Sequence, residues 1–498
     1  MTTNNASRRE FLRASSLMSM LGSSSAAFGL NMMATGAAAA QSATDYKALV
    51  CVFLNGGNDS MNMVLPTDDA SWATYTATRN QGVDPIALLA PGTAINTNAG
   101  AASPARLGGV LPIVPTTSNG GRTFALHPSM TGIQNLFNAG RLAVLPNVGT
   151  LIAPMTKVQW NNNSVPRPPN LFSHNDQQSV WQAGAAEGAR VGWGGKMGDL
   201  LKSMNGTNTV FTAVSTSGNA VFLSGQSVVQ YQVSGGGTPS PTAIGGTTGQ
   251  LFGSTAMAAG NFKTLITGDT PSLFGKDWTT VVNRSMAARD ALANALTTVT
   301  AVTAPPQMAL PSNNGGMTGN GLANALQSVA KMIAAGPGLG VKRQVFFVQI
   351  GGFDLHDNEN RGQADLMARI GHAFEYFDTA LSNLNGMGDM RSKVTTFTAS
   401  DFGRTFTTNG DGTDHAWGAH HLVMGGAVKG KDFYGRFPLI GVNTTDDTIG
   451  SGTFIPVNSV DSYAATMGKW FGISDANLNL IFPNLKNFTP DLGFMKAA

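Results

Sequence analysis

The sequence predicts an α/β fold built on a mainly parallel sheet, and three observations point there. Short apolar runs rich in β-branched or aromatic residues recur at 49–54, 142–145, 345–350 and 394–398, bounded by Gly, Asn, Ser or Asp. Runs that are apolar throughout, rather than alternating, mark strands covered on both faces. Segments of helical periodicity lie between them, as crossovers between parallel strands require. Three of the runs are also followed by a turn carrying an aspartate, where open parallel sheets collect ligand-binding residues.

Taken in order, the chain opens with a targeting segment. Ser7-Arg8-Arg9-Glu10-Phe11-Leu12-Arg13 precedes a weakly apolar stretch at 14–36, which ends in Ala37-Ala38-Ala39-Ala40. A charged start, an apolar middle and a small-residue end form a signal peptide, and the paired arginines select the twin-arginine version. Residues 1–40 are therefore expected to be removed. The mature chain is expected to begin near Gln41 and to reach the periplasm or the extracellular space already folded. Folding before export lets a metal be loaded in the cytoplasm, before competing ions are met.

The first strand is expected at 49–54. It holds Cys51, the chain's single cysteine, which reads as a buried strand residue and permits no internal disulfide. Later come the strand at 142–145 and a helix start around Ser173, with Asp176 as a loose capping-box partner. A loop-rich insertion or cap is expected at about 200–340. Gly, Ser, Thr, Pro and Asn crowd 234–249 and 305–321, with a helix at 277–300 between them. The clearest helix is at 364–384, where Leu366, Ile370, Phe374, Phe377, Leu381 and Leu384 form one apolar stripe; it includes His372. A further helix is expected at 460–471, stopped by Gly472. His127, before Pro128, reads as structural.

Of 498 residues, 42% are hydrophobic and only 12% charged, a globular composition with a weakly charged surface. Arg8, Arg9 and Arg13 against Glu10 account for two of the three net positive charges. The mature chain is thus close to neutral, with no basic run to hold nucleic acid or a membrane surface. No uninterrupted apolar run after the signal is long enough for a transmembrane helix.

The polar residues converge on metal chemistry. Asn55-Gly56-Gly57-Asn58-Asp59-Ser60, Gly351-Gly352-Phe353-Asp354-Leu355-His356 and Ser400-Asp401-Phe402-Gly403-Arg404-Thr405 each place an aspartate past a strand end. Carboxylates gathered there need a counter-charge, and a divalent cation supplies it. Of the seven histidines, His415, His420 and His421 fall in Asp411-Gly412-Thr413-Asp414-His415-Ala416-Trp417-Gly418-Ala419-His420-His421. Adjacent Gly and Trp make that segment a constrained loop suited to fixed ligands. In Asn170-Leu171-Phe172-Ser173-His174-Asn175-Asp176, Ser173 stands at a helix start, whose field favours an alkoxide or a bound anion. Arg404 reads either as a fork for an anionic group or as a partner of an aspartate.

These motifs, in this order, resemble the domain-of-unknown-function 1501 family, from about Leu49 to Phe494. The segment Asp461-Ser462-Tyr463-Ala464-Ala465-Thr466 and the arginine-pair signal also resemble it. The family is grouped with the alkaline phosphatase and sulfatase superfamily. The resemblance therefore implies a three-layer α/β/α sandwich and an active site for phosphate or sulfate esters. By position, Asp59, Asp354 and Asp401 resemble metal aspartates, Ser173 the nucleophile, and His415 or His420 the late histidine ligand. The chain departs from the superfamily in two places. Asn358 stands where a histidine is usual, with His356 two residues after Asp354, and Phe402 replaces the histidine after the last aspartate. Either Asp414 and His420 complete a rearranged site or one metal is lost, and one metal would still suffice for Lewis-acid chemistry.

The leading expectation is an exported metal-dependent hydrolase of phosphate or sulfate esters. Its metal ligands are drawn from Asp59, Asp354, His356, Asp401, Asp414, His415 and His420. Ser173 is the expected nucleophile, His174 or His356 the acid or base, and Arg404 the anion fork. The mixed oxygen and nitrogen donors suit zinc or manganese, or calcium if the histidines do not bind. The alternative is a secreted, non-catalytic binding or assembly protein on the same fold. For that reading the resemblance implies a partner, a co-encoded exported protein of the domain-of-unknown-function 1800 family.

Overall fold

The structure is a computed structural model, and it describes residues 45–233, 264–300 and 302–497. The twin-arginine segment and residues 234–249 lie outside the described residues.

The central sheet has eight strands, β1 (Lys47–Leu54), β2 (Leu142–Gly149), β3 (Ala213–Ser215), β4 (Tyr231–Gln232), β5 (Arg343–Ile350), β6 (Val394–Ser400), β7 (Ala419–Met424) and β8 (Asn458–Ser459). Their order across the sheet is β8-β2-β7-β6-β1-β5-β3-β4. All run parallel to β1 except β7, which is antiparallel to both its neighbours. Each expected strand is present and extends beyond its apolar run. In β2, Asn147 adopts a left-handed φ of 48° within the strand.

The helices used below are α1 (Asp69–Arg79), α2 (Thr131–Asn138), α3 (His174–Ala183), α4 (Trp193–Leu201), α5 (Leu273–Leu296), α6 (Gly321–Leu339), α7 (Glu359–Ser382) and α8 (Val460–Phe471). Alternate residues of β1 explain how they are arranged. Val50, Val52 and Leu54 pack into a core shared with α2, α6 and α7. Leu49, Cys51 and Phe53 pack into a second core with α4 and α8. A strand wedged between two cores must be apolar at every position, and β1 is. Burial pushes the Cys51 thiol well up, leaving it an inert core residue.

The apolar stripe of α7 is buried as expected from its periodicity, but the helix starts five residues earlier than expected. Its first turn is polar and buried, with Glu359 and Gln363, so an apolar pattern could not reveal it. Helix α8 spans the expected residues, capped by the Ser459 hydroxyl and ended by Gly472 at φ 113°.

The span 200–340, expected as an insertion or cap, supplies β3, β4 and α6 to the sheet and its core. Within it, Met308–Leu310 and Gly316–Thr318 pair as a short hairpin where a loop was expected. Among the described residues no helix is long and apolar enough to cross a membrane.

The register sets the position of the site. Leu54 lies beside both Ile350 and Ser400. The loops that leave β1, β5 and β6 therefore depart from one level of one sheet edge.

Candidate metal centre

Two glycines let these three loops nest. Gly56 (φ 117°) lies against the Asp354 amide, and Gly57 (φ 82°) against the Phe402 ring; a Cβ at either position would collide. Phe353 N donates to Asn55 O at 3.1 Å, tying the β5 loop to the β1 loop. The segment after β6 pairs with the histidine segment. Gly403 N donates to Trp417 O and Ala416 N to Gly403 O, both at 2.9 Å. That pairing fixes the backbone at His415.

Three ligand atoms, His174 Nε2, Asp354 Oδ1 and His415 Nε2, lie within 4.8 Å of one another at this edge, and His356 Nε2 flanks them. His415 Nε2 lies 3.0 Å from His174 Nε2 and 3.0 Å from His356 Nε2. Asp354 Oδ1 is 3.1 Å from His415 Nε2, 3.1 Å from His356 Nε2 and 3.4 Å from His174 Nε2. Bonds of ~2.0–2.1 Å to a tetrahedral ion would place its ligands about 3.3 Å apart. The separations within the His174, Asp354 and His415 group are close to that spacing.

The other ring nitrogens explain why the His174 and His415 lone pairs face inward, whereas that of His356 accepts from Arg404 Nη1 at 3.3 Å. His174 Nδ1 donates to Asp401 Oδ2 (2.7 Å), His415 Nδ1 to the Phe172 carbonyl (2.8 Å) and His356 Nδ1 to Asp414 Oδ1 (3.3 Å). An imidazole that donates from Nδ1 keeps its lone pair on Nε2, the arrangement found behind histidine ligands of metals. The Asp401 bond raises the His174 pKa, which makes it the more basic ligand. Burial lowers that of His415, keeping it neutral. At Asp354 burial works toward a higher pKa, but the Arg404 guanidinium beside it wins and holds the carboxylate low.

Around the cluster stand supports that sequence reasoning missed. Phe402, in the place of an expected histidine, is a platform with ring centroids 4.8 Å from His174 and 4.7 Å from His415. Gln178, one turn after His174 on α3, donates to Asp401 Oδ2 at 2.9 Å. Phe172 takes a left-handed φ of 75°, unusual for an aromatic residue, and so aims its carbonyl at His415. The helical spacing of His174 and Gln178 was the one signal of this in the sequence.

The expected site residues divide accordingly. Asp354, His356 and His415 meet, and they are joined by His174, which was expected only as an acid or base. Asp401 and Asp414 stand behind His174 and His356 rather than beside the ligand atoms. Asp401 is 1% exposed, and its Oδ1 has no partner among the described residues.

Asp59 is elsewhere. Both its oxygens are held by Arg79, the last residue of α1, and both side chains are buried. The counter-charge expected of a metal is a guanidinium there. His420 is also elsewhere. It lies on β7, where a constrained loop was expected, with Nδ1 accepting from Asn147 N (3.0 Å) and Nε2 beside Met61 Sδ (3.2 Å). Burial drives its pKa down to about 3.

Of the two readings of Arg404, the structure shows the aspartate's partner rather than a free fork. Nε donates to Gly57 O (2.9 Å), Nη1 to Thr413 O (3.0 Å) and His356 Nε2 (3.3 Å), and Nη2 to Gly56 O (2.7 Å), Phe353 O (3.2 Å) and Asp354. A guanidinium has five N–H donors, and these are engaged in tying the three loops together. Ser173 occupies the cap position of α3, but its hydroxyl donates to Asp176 Oδ2 (3.0 Å) and not to the helix backbone.

The sequence model of a family described as "Protein of unknown function (DUF1501)" matches residues 46–232 and 279–473. The chain belongs to the DUF1501 family. Both matched stretches contain centre residues: His174 lies in the first, and Asp354, His356, Asp401, Arg404 and His415 in the second. No curated protein matches the chain. One similar solved structure is the "Crystal structure of Ps i-CgsB in complex with k-i-k-neocarrahexaose", at 10% identity over 90% of this chain and 78% of that chain, with a TM-score of 0.32. Likeness at that level lends nothing to the reading of the site.

Proposed function

We propose that this chain is an exported, metal-dependent hydrolase of phosphate or sulfate esters on an alkaline phosphatase-like fold. The observation that carries the reading is the convergence of His174, His356 and His415 Nε2 on Asp354 Oδ1, with each Nδ1 already committed to an oxygen. Two imidazole nitrogens and a carboxylate oxygen within 4.8 Å of one another, with His356 beside the same carboxylate, favour zinc over manganese or calcium. Such an ion supplies Lewis acidity and lowers the pKa of a nucleophile.

The chain's own residues do the rest. Asp401, Asp414 and the Phe172 carbonyl orient the ligands, and Phe402 fixes the planes of two rings. Arg404 keeps Asp354 ionised and is not free to bind the substrate anion. In this reading Ser173, which precedes the ligand His174 at a helix start, is the nucleophile, and Asp176 Oδ2, which accepts from its hydroxyl, would take its proton. His356, 45% exposed, marks the solvent side where an ester would enter. Export rests on Arg8-Arg9, and changing both to lysine should hold the chain in the cytoplasm.

The test is turnover of p-nitrophenyl phosphate and p-nitrophenyl sulfate by the purified mature chain. Activity abolished by chelator and restored by zinc supports the reading. No turnover by the zinc-loaded protein of either ester or of a broader ester panel overturns it, and the binding-protein alternative then takes its place.

A further inference from the structure

A hollow of about 260 Å³ opens beside the centre, and carboxamides dominate its polar wall. Asn55 ends the β1 run, Gln349 lies near the end of β5, and Asn219 follows β3. Asn175, Gln178 and Gln182 come from α3. Gln178 belongs to both places: it lines the hollow and donates to Asp401 Oδ2, the atom that holds His174.

Each amide keeps at least one end without a partner among the described residues. Asn55 Nδ2 donates to Gln349 Oε1 (3.0 Å), which leaves Asn55 Oδ1 and Gln349 Nε2. Gln182 Oε1 accepts from Phe222 N (3.0 Å), leaving Nε2. Asn219 Oδ1 accepts from Gln230 Nε2 (2.9 Å), leaving Nδ2. Gln178 retains Oε1, and Asn175 retains both ends. The wall thus offers interleaved amide donors and acceptors beside one carboxylate, Glu187, and no cationic side chain.

That chemistry selects a ligand. An anionic group would call for Arg or Lys, and a base for aromatic faces. A row of hydroxyls, each both donor and acceptor, matches amides of both polarities. The volume lies below the range for drug-sized ligands and suits a single sugar ring. We infer that the hollow binds the neutral, polyhydroxylated part of the substrate, a sugar ring whose ester group reaches the metal centre. This rests on the hydrolase reading and narrows it to sugar esters.

The experiment compares zinc-loaded wild type with the Asn219→Ala/Gln349→Ala variant, both positions being solvent-facing and neither bonded to a residue of the ligand set. Hexose 6-phosphates and 6-sulfates are assayed against methyl phosphate and methyl sulfate. Saturation-transfer NMR follows methyl glucopyranoside and methyl galactopyranoside separately. Wild type should prefer the hexose esters, and the variant should lose that preference about tenfold or more, together with the sugar NMR signals. Asn219→Asp/Gln349→Glu, which keeps the volume but removes the donors, should do the same if the alanine pair does not fold.

Turnover of methyl esters with no preference for hexose esters and no sugar signal overturns the inference while leaving the hydrolase reading intact. Sugar signals lost in the variant, without turnover of any ester, support the hollow as a sugar site and overturn the hydrolase reading. Neither turnover nor signal overturns both.

Discussion

Asp59 and Asp354 both follow a central strand, and the structure neutralises them in opposite ways. At Asp59 the charge is closed off. Arg79 grips both oxygens, the pair is buried, and burial and then the Asp59 charge push up the pKa of neighbouring Glu359. At Asp354 the site stays open. The carboxylate is 47% exposed, and the Nε2 atoms of three imidazoles and an Arg404 N–H all gather at its Oδ1. An aspartate after a strand therefore marks a place for a counter-charge, and what supplies it is decided by residues far away in sequence.

The largest effect should come from breaking the closed cluster. Arg79→Ala leaves Asp59 buried without its partner, and we expect a loss of about 3–5 kcal/mol in urea unfolding. A loss below about 1 kcal/mol would mean that the guanidinium is not the counter-charge there.

In the open cluster the cost should appear in metal affinity. His415→Ala and His174→Ala should abolish stoichiometric zinc. If zinc is held at 100 times its Kd, chelator should cost the wild type about 2.7 kcal/mol and leave both variants unmoved, as read by thermal unfolding. One step further out, Asp401→Asn keeps the shape but weakens the acceptor that orients His174. It should reduce zinc affinity by roughly 10- to 100-fold, and unchanged affinity would remove Asp401 from the support of the site.

The smallest effect is a pH slope. Burial, then the Asp59 charge, raise the Glu359 pKa well above its ordinary value. A raised folded pKa adds stability that is complete below the unfolded value, ~4.3, and is lost as pH rises toward the folded one. Glu359→Gln should therefore flatten the fall in stability from about pH 4 upward. An unchanged slope would show that Glu359 is already ionised in the fold.

The two clusters also show what the sequence could carry. The β1, β5 and β6 runs and their aspartate turns are local patterns, so the sheet edge and the Asp354, Asp401 and His415 neighbourhood could be read directly. The pairing of Asp59 with Arg79 could not, because it depends on where the end of α1 packs. Strand β7 was hidden because His420 and His421 interrupt its apolar pattern, although both are buried as neutral rings. His174 reads as an acid or base until α3 is seen to point it at His415. Arg404 reads as a fork until the three loops are seen to use its donors.

The most direct test is elemental analysis of the mature chain, purified after its own export without added metal, beside His174→Ala and His415→Ala prepared alike. The account predicts one zinc per wild-type chain and none in either variant. A folded wild type without bound metal, or variants that keep it in full, would contradict the central claim that these imidazoles and Asp354 form a metal centre.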